Sequence, residues 1–141
     1  MRWLGLDIGT KRIGVAVSDE LGVTARGVTV VRRRSVARDV ERIAELAAEQ
    51  QARGLVVGLP LSMDGSQGRM AELASGFAAA LAERTGLPVE LHDERLTSWE
   101  AEGILKQVAD RKRRRDPGEV DKLAAVLILR SFLAAREEEG A

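Results

Sequence analysis

Cysteine is absent from the 141 residues, which excludes disulfides, thiolate metal sites and a cysteine nucleophile together. Aromatic residues make up only 3% of the chain, too few for the base-stacking platforms of single-strand binders. One histidine, His92, supports no convincing Ser-His-Asp or Cys-His arrangement. No run of eighteen apolar residues is present, and the charged, glycine-broken start lacks the apolar core of a signal peptide. A cytoplasmic protein with no membrane partner is therefore expected. Neither sign of charge dominates: 22 basic and 22 acidic residues cancel. The whole-molecule field thus advertises no polyanion partner, and local patches have to do any nucleic-acid binding. Arg32-Arg33-Arg34 and Arg111-Lys112-Arg113-Arg114-Arg115 are such patches, and Glu137-Glu138-Glu139 forms an acidic tail.

What is present reads as a single α/β domain over residues 1–141. Residues 2–8, 13–18 and 25–32 are expected to form an antiparallel meander with one wet face. Ser35 is the expected N-cap of a helix carrying Val36, Val40, Ile43, Ala44 and Ala47 until Gly54 stops it. Residues 55–59 read as a short, fully covered strand. A glycine-bearing loop over 60–68 follows, then a helix ended by Gly86 and a strand from Val89 to Asp93. Thr97 and Glu100 form a capping box for a helix through about Val108. The basic segment 109–116 is expected to be mobile. Asp116, Pro117 and Glu119 open a last helix to roughly Arg136, with a frayed acidic tail over 137–141. The expected fold is a mixed sheet of five strands, the meander plus two parallel strands, flanked by helices.

Acids from three segments fall where such sheets gather ligands, at the carboxyl ends of strands. Asp7 lies inside the apolar run Leu4–Ile8, where a carboxylate is costly unless a cation or donor meets it. Asp93 and Glu94 end the strand that follows Pro88. Asp121 opens the last helix, beside Ala124 and Ala125, a small-residue step that allows close packing on the sheet. Hard cations such as Mg²⁺ or Mn²⁺ prefer such carboxylate oxygens. Parity puts Asp7 with Gly5, opposite Leu4, Leu6 and Ile8. It also groups Glu90, His92 and Glu94 on the wetter face of their strand, which favours Glu94 over Asp93 as the partner of Asp7. Each acid has a plainer reading. Asp7 could cap the Gly9–Thr10 turn, Asp121 could be an ordinary first-turn acid, and Glu94 could pair with Arg95 or Lys106. His92 reads as a strand residue and Trp99 as a staple over a helix start. Lys11, Arg12 and the run Arg113, Arg114 and Arg115 are the candidate phosphate contacts, and the loop over 58–68 is a candidate substrate contact.

Four blocks resemble one family in order and across nearly the whole chain. They are Leu6-Asp7-Ile8-Gly9-Thr10-Lys11-Arg12-Ile13-Gly14, Val57-Gly58-Leu59-Pro60-Leu61-Ser62-Met63-Asp64-Gly65, Asp93-Glu94-Arg95-Leu96-Thr97-Ser98 and Val120-Asp121-Lys122-Leu123-Ala124-Ala125. The chain resembles the YqgF family, also called RuvX, whose members are similar to RuvC Holliday junction resolvases. The resemblance implies an RNase H-like fold and a nuclease dependent on Mg²⁺ or Mn²⁺. Asp7, Glu94 and Asp121 match the acidic triad of that family, as both metal ligands and catalytic residues. It further implies a role in maturing the 5′ end of pre-16S ribosomal RNA or, alternatively, in cutting branched DNA, as a monomer or homodimer. The RuvC resolvases carry a second acid one helical turn along the last helix. Leu123, Ala124 and Ala125 stand there instead, which leaves one metal ion or two open. A non-catalytic nucleic-acid or ribosome-assembly module is a further alternative. So is an ATP-handling protein, because Asp-x-Gly-Thr is similar to the phosphate loop of actin and the sugar kinases.

Overall fold

A computed structural model of the chain describes residues 1–62, 64–96 and 117–140. The helix expected from Thr97, the segment 109–116 with Arg113, Arg114 and Arg115, and the Asp116 cap all lie outside the described residues. The strands are β1 (Trp3–Ile8), β2 (Arg12–Ser18), β3 (Ala25–Arg32), β4 (Gly54–Leu59) and β5 (Val89–Asp93). The helices are α1 (Val36–Glu49), α2 (Arg69–Thr85) and α3 (Pro117–Gly140), with a 3₁₀ turn over Glu94–Leu96. The sheet order is β3-β2-β1-β4-β5. The first three strands pair antiparallel, while β4 pairs parallel with both β1 and β5, which is the expected mixed sheet.

Alternation along β1 divides the interior in two. Leu4, Leu6 and Ile8 join Ile13, Val15, Val17, Leu55 and Val57 in the larger core beneath α1 and α2. Trp3 joins Ala16, Val56, Ala125, Ile128, Leu129 and Phe132 in a smaller core beneath α3. Both faces of β1 and β2 are thus covered. The wet-face pattern expected of the meander holds only for the edge strand β3, where several residues stay exposed although α3 reaches it as well.

Local chemistry sets the helix ends. Ser35 caps α1 as expected, its side chain accepting from the Arg38 amide at 3.2 Å. The helix ends at Glu49, however, and not at Gly54. Gln50 caps it and Gln51 takes the left-handed conformation at φ 58°. Gly54 instead begins β4 directly under the Trp3 ring, where a Cβ would come within 2.5 Å of a ring carbon. Gly86 does end α2, in the left-handed conformation usual for a helix C-terminus. The last helix continues past Arg136 to Gly140, since Arg and Glu are good helix formers.

Strand β5 also departs from expectation. His92 is 5% exposed and Leu91 43%, so at His92 the face read as wetter is covered, while Glu90 on the same face stays exposed. The cause is α3, whose Ser131 hydroxyl lies 2.8 Å from His92 Nε2 and whose Phe132 ring meets the imidazole edge-on.

Candidate active site at the carboxyl edge of the sheet

Asp7 points to the α3 face near the end of β1, opposite Gly14 on β2. A Cβ on Gly14 would lie 1.9 Å from the Asp121 carbonyl oxygen. Only glycine lets the first turns of α3 settle on the sheet at this point. Ala125 is fully buried one turn further along, as the small-residue step requires. Contact between α3 and β2 therefore brings Asp121 to Asp7 from a distance of 114 residues in sequence.

Glu94 arrives from the other side. Leu6 pairs with Val57 across β1 and β4, which makes Asp7 and Gly58 the next positions on neighbouring strands. A Cβ on Gly58 would lie 3.0 Å from Glu94 Oε1 and 2.6 Å from the Ile128 side chain. The Glu94 carboxylate thus occupies the space that a side chain at 58 would fill. Two glycines, one on each side of β1, make room for the two acids that flank Asp7.

The electrostatics follow from this crowding. Burial, and then the charge of Asp121, push the Asp7 carboxyl up from 3.8 to about 6. Burial, and then the charges of Asp7 and Asp93, push Glu94 up from 4.5 to about 7. No hydrogen bond or ion pair satisfies either carboxyl among the described residues. Two half-buried acids that repel one another, without donors, form a site suited to a cation.

The plainer readings of these acids fare differently. The turn after β1 is closed by the Gly9 amide on the Arg12 carbonyl at 2.9 Å and by Arg33 Nη1 on the Gly9 carbonyl at 2.9 Å, without Asp7. Arg95 pairs with Asp93 at 2.7 Å. Its hydrogen bonds to Asp93 hold that carboxyl below its ordinary range. Asp93 is thereby occupied, while Glu94 faces Asp7. His92 is a core residue, and its burial lowers the imidazole pKa.

Arg12 holds Asp121, with Nε 2.6 Å from Oδ2. Sequence alone marked Arg12 as a phosphate contact and did not reveal this pair. Lys11 is exposed at the same turn. Among the described residues, no three His, Cys, Asp or Glu side chains converge on one point, and the Arg12 pair occupies the third carboxylate. Within the loop over 60–68, residues 64–66 form a tight turn. Asp64 accepts from the Ser66 amide and hydroxyl at 2.9 and 2.6 Å, and Gly65 sits at φ 85° beside the Arg95 guanidinium. The loop therefore borders the turn that carries Glu94. No helix among the described residues is long and apolar enough to cross a membrane.

The chain is similar to known proteins and solved structures over nearly its whole length. A protein of Anaeromyxobacter dehalogenans described as "Putative pre-16S rRNA nuclease" is 51% identical over 138 residues, covering 96% of this chain and 98% of its own. One from Moorella thermoacetica with the same description is 46% identical over 140 residues, 99% of each chain. Thermus thermophilus RuvC in complex with Holliday junction substrate matches with a TM-score of 0.64 at 18% identity, covering 97% of this chain and 96% of its own. The yeast mitochondrial Holliday junction resolvase matches at 0.58 and 13% identity, covering 96% and 79%. These structural matches carry the RNase H-like fold. The family described as "RuvX: Holliday junction resolvase" matches residues 1–135, and the chain belongs to that family.

Proposed function

We propose that this RuvX-family nuclease cleaves structured nucleic acid, with precursor 16S ribosomal RNA as its substrate, using Asp7, Glu94 and Asp121 to hold Mg²⁺ or Mn²⁺. The observation that carries the reading is the meeting of Asp7 and Glu94 beside Asp121, with both of the first two carboxyls raised by burial and by neighbouring acids. An all-oxygen donor set of this kind fits a hard divalent cation. Such a cation, when bound, supplies charge neutralisation at the phosphate and activation of water.

The chain's own residues do the rest. The covered α3 face limits solvent around Asp7 and keeps its carboxylate short of donors, which strengthens its attraction for positive charge. Lys11 and Arg12 stand at the turn beside the acids and orient the backbone through its phosphate oxygens. Arg113, Arg114 and Arg115 are further candidate phosphate contacts by their charge. A cytoplasmic location follows from this substrate.

Branched DNA is the second reading, favoured by the family's description and by the fold shared with junction resolvases. Symmetric cutting of a junction calls for a homodimer, whereas trimming of ribosomal RNA needs only a monomer. The test is cleavage of precursor 16S RNA, four-way junction DNA and linear duplex DNA in Mg²⁺ and in Mn²⁺. Asp7→Asn is expected to lower the rate by more than about a hundredfold while binding persists. Undiminished cleavage by the purified variant overturns the assignment of Asp7. Salt-sensitive binding with no turnover by the wild type supports a non-catalytic module instead.

A further inference from the structure

Of the block Arg32-Arg33-Arg34, only the middle residue is spent on the fold. Arg33 turns inward to Asp39 at 2.8 Å and to the Gly9 carbonyl. Arg32 and Arg34 point outward, and with Arg38 on α1 they line a groove of about 610 Å³ between β3 and α1. Every acid lining that groove already has a cation. Asp39 is held by Arg33, Glu41 by Arg84 at 3.0 Å through Nη2, and Glu45 by Arg42 at 3.1 Å. The guanidinium groups of Arg32, Arg34 and Arg38 have no such partner among the described residues.

The position of the groove relates it to the active site. Arg32 is the direct cross-strand partner of Arg12, which itself holds Asp121. Like charges placed opposite one another are unfavourable in the empty protein, and Asp121 relieves only one of the two. The acids lie on the α3 face and the groove opens on the α1 face, and β3 is the edge of the sheet between them. No aromatic side chain lines the groove. Forked guanidinium donors without an apolar anchor suit phosphate oxygens better than a protein surface.

We propose that the β3–α1 groove binds the phosphate backbone of the substrate's flank, where it passes round the β3 edge away from the acids. The proposal rests on the nucleic-acid reading above and adds a second contact region to it. The test uses the full chain carrying Arg32→Gln, Arg34→Gln and Arg38→Gln together. These side chains are exposed, so the fold is expected to survive, and thermal melting checks this. Binding is followed by fluorescence anisotropy from low to high salt, on one structured RNA with a long flank and on a truncated copy without it. Loss of at least about tenfold in affinity for the long RNA, with the slope of log K against log salt reduced by about 2 to 3, is the expected result. Cleavage of the truncated RNA stays at the wild-type rate. Equal affinity and slope in the folded variant overturn the groove alone, including the case in which a protein occupies it. Failure of the wild type to bind either RNA overturns the nucleic-acid reading and the groove with it.

Discussion

On the α1–α2 side of the sheet, β1 and β2 present Leu4, Leu6, Ile8, Ile13, Val15 and Val17, all buried. On the α3 side the same two strands present Trp3, Gly5, Asp7, Gly14 and Ala16. Both sides are covered, but one is filled with branched aliphatic side chains and the other is kept open with glycine. Filling gives dispersion contacts and removes apolar area from water. Openness lets a helix backbone come down to the strands and bring a carboxylate with it. The filled core and the proposed site thus lie on opposite faces of one strand, residue by alternate residue.

The widest break in this comparison is a cavity on the filled face. Leu6→Ala is expected to cost about 2 to 5 kcal/mol, read as a lower midpoint in urea. The fraction that remains folded should cleave at the wild-type rate. A large fall in cleavage per folded molecule would show that the two faces are not independent.

The open face is expected to behave in the opposite way, and pH reveals it. Asp7 at about 6 and Glu94 at about 7 both ionise at higher pH in the folded protein than in the unfolded chain. Between roughly pH 4 and 7 the folded state therefore binds more protons, and stability falls as pH rises. The fall is of order 3 kcal/mol from Asp7, with a smaller, solvent-screened share from Glu94. Asp7→Asn removes part of this slope and should melt higher than wild type at pH 8. Added Mg²⁺ or Mn²⁺ should raise the melting temperature at pH 8 and barely alter it at pH 5. Equal effects at the two pH values would break the assignment of a cation to these acids.

The smallest effect sharpens the boundary between structure and function. The Arg12–Asp121 pair is partly exposed, with side chains 38% and 22% accessible. Arg12→Gln should change stability by less than about 1 kcal/mol. It should still weaken nucleic-acid binding and reduce its salt slope by about 1. A loss of several kcal/mol would make the pair a structural anchor of α3.

Much of this was legible from residue order. Strand β3 and strand β5 have the expected ranges, because alternation and the flanking Gly and Pro residues are local signals. The parity of Asp7 with Gly5, away from Leu4 and Leu6, was likewise local. The end of α1 was not, since Gly54 looks like a helix stop until the Trp3 ring is seen above it. The burial of His92 on the face of β5 read as wetter was missed for the same reason. His92 is polar by type, but Ser131 and Phe132 approach it from a helix some forty residues away.

Sequence by itself determined most strand and helix types, the face on which Asp7 lies and the acids that are candidates for the site. Each depends on periods of two or 3.6 residues, or on side-chain type, and needs no distant partner. Tertiary structure alone decided that Glu94 meets Asp7 while Asp93 is taken by Arg95. It also placed Asp121 against Gly14 and bound Arg12 to that acid. These outcomes rest on how closely backbones can approach, which glycine permits. That distance is set only when α3 packs on the sheet.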